Sequence, residues 1–195
     1  MDAAPRVAGG FRRLDERVVH RGHVVTTVTA AFSGPDGRRF ERDVIRHPGA
    51  VAVVPVGAAG TVTLVRQYRA PVDRWVAEVP AGTRDVAGED LEETARRELA
   101  EEVGLAAEHL ELLVRTLNTP GFCDEETAVY LATGLSPVAD GRRGVEEEHL
   151  EVVEVALDAF DGLVDDGTIV DAVTILGVGL ARRRLAGRAG PDGAG

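Results

Sequence analysis

Between Pro80 and Leu105 the sequence PAGTRDVAGEDLEETARRELAEEVGL carries eight carboxylates, and three of them, Glu98, Glu101 and Glu102, fall within five residues. The segment is patterned as a helix. Asp90 with Glu93 makes an N-cap and capping-box pair, and Gly104 suits the left-handed position after the last turn. At about 100° per residue, Leu91, Ala95, Leu99 and Val103 form one apolar stripe. With Leu91 as reference, Glu98 and Glu102 fall within about 20° on either side, one turn apart, and Glu101 lies about 80° round. Glu92 also falls in the apolar arc and is expected to be exposed in the first turn. Like charges this close at a buried edge are costly unless a cation neutralises them. Carboxylate oxygens at this spacing suit a hard divalent ion such as Mg²⁺, which keeps waters and bridges to phosphates. The alternative is a helix whose acids rim its buried face and pair with Arg96 or Arg97. The helix by itself does not choose.

Strands must hold such a helix in place. HVVTTVTAAF (23–32) and RRFERDVIRH (38–47), separated by the turn signal SGPDG, predict a hairpin. AVAVVPV (50–56) is a continuous apolar run, the pattern of a strand buried on both faces. TVTLVRQYR (61–69) and RWVAEVP (74–80) follow as strands, then the acidic helix. Further strands are expected over 109–118, 127–135 and 150–157, a short helix over 158–167 and a longer one over 170–185 with a basic end. Residues 1–15 and the Gly/Ala-rich stretch from Leu185 onward read as loosely ordered. Strands on both sides of a central helix, with a second helix at the end, predict mixed α/β layers.

The 195 residues suit one domain with a small appendage. A formal charge of −11 argues against nucleic-acid binding, because the phosphate backbone repels it. It leaves room for a phosphate-bearing substrate if cations lie between. The single cysteine, Cys123, excludes an internal disulfide framework. No leader-like apolar segment opens the sequence, and no apolar run approaches membrane-spanning length. These features point to a cytoplasmic protein with no membrane partner.

The flanking residues sharpen the reading of the helix. GTRDVAGEDLEETARRELAEEVGL resembles the Nudix box, G-x5-E-x7-R-E-U-x-E-E-x-G-U with U aliphatic. Arg97, Glu98, Leu99, Glu101, Glu102, Gly104 and Leu105 match, and Glu89 stands at the required distance before Arg97. Gly82 lies six residues before Glu89 where the pattern asks for five, with Thr83 at the nominal position. This departure reads as a one-residue insertion in the TRDVAG loop, where length is cheap. LVRQYR, EVPAG and TPGFCDE, with Pro120 fifteen residues after Leu105, are similar to the ADP-ribose pyrophosphatase branch of that family. The similarity spans roughly residues 45–180.

That resemblance implies an α/β fold of the α+β type: an α/β/α sandwich of mixed sheets behind an N-terminal β-hairpin segment. In this branch the segment is usually exchanged between the subunits of a homodimer, with an ordinary extension of its own sheet as the alternative. The implied division is 1–47 for dimerisation, 48–187 for the catalytic domain and 188–195 as a disordered tail. The implied reaction is hydrolysis of ADP-ribose to AMP and ribose 5-phosphate with Mg²⁺, Mn²⁺ being the alternative ion. Glu98 and Glu102 would be the principal metal ligands, with Glu101 as a third and the Ala81 carbonyl as an additional one. Arg97 would orient a box glutamate. The general base would come from the loop GRRGVEEEHLEVVEV, Glu146 first and Glu148 as alternate or as ligand of a metal-bound water; a solvated acidic turn is the competing reading. Arg69 is the first candidate for the phosphates and Arg66 the second, although 66 and 69 point to opposite faces of a strand. Glu78 would hold ribose or a metal-bound water. Phe122, beside Gly121, together with Tyr68, Trp75 and Phe11, supplies the flat partners for adenine, with a core role open for Tyr68 and Trp75. Two rivals remain: a pyrophosphatase for another nucleotide sugar such as GDP-mannose, and a non-catalytic ADP-ribose-binding regulator. The intact box acids, and the lack of a basic appended module, weigh against the second.

Overall fold

The structure is a computed structural model and describes residues 9–86, 88–139 and 149–188. In chain order the elements are β1 (Arg12–Arg21), β2 (Thr26–Ser33), β3 (Arg39–Arg46), β4 (Ala50–Pro55), β5 (Thr61–Arg69), β6 (Arg74–Glu78), β7 (Ala81–Thr83), α1 (Leu91–Val103), β8 (Leu105–Leu117), β9 (Glu126–Pro137), β10 (Glu151–Ala156), α2 (Phe160–Asp165) and α3 (Ala172–Arg188). They fall into two compact units, Met1–Gly49 with Leu117–Glu126, and Ala50–Thr116 with Thr127–Gly195.

In the first unit the expected hairpin is a three-stranded antiparallel meander, β1-β2-β3. The added strand corrects the expectation that residues up to about 15 are loosely ordered: Arg12 already pairs with Ser33. No regular alternation marks β1, RRLDERVVHR, because it is exposed on both faces and has no buried side to set a period. Phe40 stacks on Phe32 at 5.5 Å and meets Phe11 edge-on at 6.3 Å. The β8–β9 connection belongs to this unit. Ile45 bridges Cys123, and Arg46 and the His47 N–H bond Asp124 at 2.8 and 2.9 Å.

The second unit holds two sheets, β10-β5-β6 and β7-β4-β9-β8. Strand β4 runs parallel to β9 and antiparallel to β7. Its apolar run is buried on both faces, as its composition predicts. Val51 and Val53 join Ala95 and Leu99 of α1, while Ala52 and Val54 join Val178 and Ala181 of α3. Helices therefore cover opposite faces of the mixed sheet, an α/β/α arrangement. Gly177 lets α3 approach closely, since a Cβ there would stand 3.0 Å from Val54 and 3.1 Å from Val129. Helix α3 continues through Arg188, beyond the expected start of a loose tail at Leu185. The three-residue β7 was not expected. It is too short to carry a periodic signal, and it exists because Ala50–Ala52 of β4 offers it a ladder.

Candidate active site

Helix α1 is built as its sequence prescribes. Asp90 accepts hydrogen bonds from the backbone N–H groups of Glu92 and Glu93 at 2.8 Å each, Glu93 returns the capping-box contact, and Gly104 closes the helix at φ 64°. Such a cap contributes about 1 kcal/mol. Leu99 and Ala95 are fully buried, and Glu92 is exposed and paired with Arg96. Rotation about this anchored axis carries Glu98 and Glu102 inward, leaving them only 9% and 5% exposed.

Each buried acid meets strand β7. The Ala81 N–H donates to Glu102 Oε2 at 3.0 Å. Glu98 lies directly over Gly82, where an added Cβ would stand 2.0 Å from its carboxylate carbon. Gly82, and not Thr83, therefore occupies the glycine position of the pattern. The extra residue is taken up downstream, in the turns where Asp85 N–H bonds Thr83 and Glu89 N–H bonds Val86.

Arg97 gathers the acids from the outer side. Its Nη1 donates to Glu98 at 2.7 Å and to Glu101 at 3.1 Å, while Nε and Nη2 each reach Glu89 at 3.2 Å. The hydrogen bonds to Glu89, with the charges of Glu98 and Glu89, raise the Arg97 pKa above its ordinary value against the effect of burial. Arg97 in turn holds the Glu89 carboxyl below the usual glutamate range, helped by the Thr94 hydroxyl at 2.8 Å. Spacing marked Glu89 as a pattern position but not as the clasp between helix and loop. Thr94 carried no signal at all.

Arg69, at the end of β5, donates from Nε to Glu78 at 2.8 Å, and Gln67 donates to the same oxygen at 3.0 Å. Burial disfavours the Arg69 charge. The bonds and charge of Glu78, with the charges of Glu102 and Asp171, outweigh it and raise the pKa. Glu78 is thus a partner of Arg69 in the structure, and Gln67 is a buried member that sequence reading missed, although alternation places it on the same strand face. Arg66 points to the other face, pairs with Glu151 at 2.8 Å and lies 5.1 Å from the Trp75 ring. Tyr68 and Trp75 meet edge-on at 6.4 Å and are both exposed, so the core role held open for them does not apply. Gly121 and Phe122 lie in the β8–β9 connection, and Phe122 is exposed. Glu146 and Glu148 lie outside the described residues.

The two carboxylates that α1 turns against β7, Glu98 and Glu102, are buried anionic oxygen donors, which is the chemistry a hard divalent cation takes. Among the described residues no three His, Cys, Asp or Glu side chains form a ready-made ligand group. Arg97 and the Ala81 N–H hold the carboxylates in the present arrangement.

Comparison with known proteins agrees with this geometry. The chain is 36% identical over 169 residues to an ADP-ribose pyrophosphatase of Bacillus subtilis, covering 84% of this chain and 91% of that one. It is 38% identical over 168 residues to an ADP-ribose pyrophosphatase of Mycobacterium tuberculosis, with 86% and 81% covered. It is also 35% identical over 160 residues to a methanol dehydrogenase activator of Bacillus methanolicus, with 82% and 86% covered. A crystal structure of an ADP compounds hydrolase superposes with a TM-score of 0.79 at 25% identity, over 91% of this chain and 95% of the other. The NUDIX domain profile matches residues 46–174, from the end of β3 into α3. With its acidic helix, its glycine-backed carboxylates and this match, the chain belongs to the NUDIX domain family.

Proposed function

We propose that this protein is a Mg²⁺-dependent pyrophosphatase that hydrolyses ADP-ribose to AMP and ribose 5-phosphate. The observation that carries the reading is the pair Glu98 and Glu102, buried one turn apart on α1 and seated against Gly82 and the Ala81 N–H. The similarity to ADP-ribose pyrophosphatases of Bacillus subtilis and Mycobacterium tuberculosis supports the choice of substrate.

Hydrolysis adds water to one phosphorus of the anhydride and breaks the bridging P–O bond, and the other phosphate leaves. Glu98, Glu102, Glu101 and the Ala81 carbonyl would hold a divalent ion, which when bound would neutralise phosphate charge and lower the pKa of the attacking water. The chain's own groups do the rest. Arg69, already charged and aimed by Glu78, grips non-bridging phosphate oxygens. Arg97 keeps Glu98 and Glu101 oriented and disperses their mutual repulsion. Glu146 takes the proton from water, with Glu148 as its alternate. Mn²⁺ satisfies the same donors. A homodimer is supported by β1, a ten-residue strand with every residue exposed that displays Leu14, Val18 and Val19. The cytoplasm, where thiols stay reduced, suits the lone Cys123.

The test is product analysis across ADP-ribose, GDP-mannose, NADH and diadenosine polyphosphates with Mg²⁺. ADP-ribose is expected to turn over best, to equal amounts of AMP and ribose 5-phosphate. Glu102→Gln is expected to lose about a hundredfold or more in kcat while keeping its fold. Preferred turnover of GDP-mannose would replace the substrate assignment, and full activity in excess chelator would remove the metal from the reading.

A further inference from the structure

The segment Glu78–Ala81 is where β6 hands the chain to β7, and it carries four separate fastenings. The Glu78 carboxylate holds Arg69, the Val79 N–H donates to Thr174 Oγ1 at 2.9 Å, the Pro80 carbonyl accepts from Val53 N–H at 2.8 Å, and the Ala81 N–H donates to Glu102. Three of these stay within the sheets and α1. The fourth comes from the last helix, 95 residues further along the chain.

Thr174 is fully buried. Its backbone N–H and its hydroxyl both bond Asp171 Oδ2 at 2.7 Å. A threonine hydroxyl has one hydrogen, and here it goes to a carboxylate, which leaves an oxygen lone pair for the Val79 N–H. The order is therefore Val79 N–H to Thr174 O–H to Asp171, each bond polarising the next. Val79 is itself buried and lies past the end of β6, where no ladder partner follows, and the next residue, Pro80, has no N–H to offer. A buried main-chain N–H left without an acceptor is costly.

We propose that Thr174 is a positioning residue: it fixes the main chain at Val79 and so sets Glu78–Arg69 on one side and the Ala81 N–H with Glu102 on the other. Its catalytic consequence rests on the pyrophosphatase reading above. Thr174 touches neither phosphate nor ion in this scheme. Its effect passes through the backbone of residues 78–81, whose two ends hold Arg69, through the Glu78 carboxylate, and Glu102, through the Ala81 N–H. A misplacement of about 1 Å at such groups can cost about a hundredfold in turnover.

The test compares Thr174→Val, which keeps the shape and removes the oxygen, with Thr174→Ser, which keeps the oxygen. The first measurement is amide hydrogen exchange at Val79 and Ala81 in the substrate-free protein. Both are expected to exchange about fivefold or more faster in Thr174→Val and to return to wild type in Thr174→Ser, with α1 amides unchanged. The second is the Mg²⁺ concentration giving half-maximal ADP-ribose turnover, expected to rise in Thr174→Val alongside a fall of about tenfold in kcat. A purely structural threonine would lower Tm and leave the Mg²⁺ requirement and the ratio of kcat to KM effects untouched. Wild-type exchange at Val79 and Ala81, or an unchanged Mg²⁺ requirement, overturns the proposal. Should Thr174→Val not fold, Thr174→Cys, with a weakly bonding thiol of similar size, takes its place in both measurements. If the wild-type protein hydrolyses no member of the substrate panel, the pyrophosphatase reading fails, and the exchange result alone upholds or rejects the anchor.

Discussion

Gly82 has no side chain, and the Glu98 carboxylate occupies the place one would take. Gly82→Ala is therefore a steric edit of a carboxylate. The methyl cannot coexist with Glu98 in its present position, and Glu98 is the easier group to displace because the β7 backbone is laddered to β4. Turnover is expected to fall about a hundredfold or more, with Tm within a few degrees of wild type, since a carboxylate swung away from Gly82 can rehydrate. Near-normal rates in Gly82→Ala would mean that the fit of Glu98 against the glycine is incidental. At this scale the sequence was most informative where spacing alone suffices: Glu98, Glu102, Arg97 and Gly82 were all named from one helix wheel and one pattern. Gln67 and Thr174 were not, because their partners, Glu78 and Val79, are contacts that no local periodicity reports.

At the scale of elements, α1 is tied at its start to the loop that precedes it. Arg97 reaches back to Glu89, and Asp85 lies 3.5 Å from the same guanidinium. The clasp makes a pH prediction whose sign follows from Glu89. Its folded pKa is depressed, so its contribution to stability is present above the unfolded value, about 4.3 for a free glutamate, and is lost as the pH falls through the lower folded value. Glu89→Gln is expected to melt below wild type at pH 7. That difference should hold down to about pH 5 and close only below about pH 4 in paired thermal melts. A difference already gone at pH 6 would mean that Glu89 does not carry the clasp. Capping and burial make α1 the element most legible in sequence, and its bounds are those its caps dictate. Strand β1 was the least legible, because with all ten residues exposed it has no buried face to generate a pattern.

For the whole molecule, a ligand that binds only the folded state adds stability through mass action. At a hundredfold excess over its Kd the gain is about 2.7 kcal/mol, or about 5–10 °C in Tm for a chain of this length. Mg²⁺ is expected to produce such a rise in the wild-type protein and not in the Glu98→Gln, Glu102→Gln double variant, with chelator reversing it. Because the chain carries a formal charge of −11, any salt relieves some self-repulsion, so the comparison is made at matched ionic strength. An equal rise in wild type and double variant would assign the effect to screening.

The sequence by itself determined the central helix, its caps, which two acids face inward, the doubly buried strand β4 and the family that such a pattern implies. All of these are consequences of periodicity and of fixed local spacing, which a chain carries before it folds. Only the tertiary structure decided that Gly82 rather than Thr83 meets Glu98, that Glu78 serves Arg69, that Trp75 and Tyr68 stand at the surface, and that the last helix bonds the backbone at Val79. The physical reason is common to all four. Each depends on which distant segments the sheets bring within hydrogen-bonding or van der Waals reach, a property of the closed fold and not of any single stretch of it.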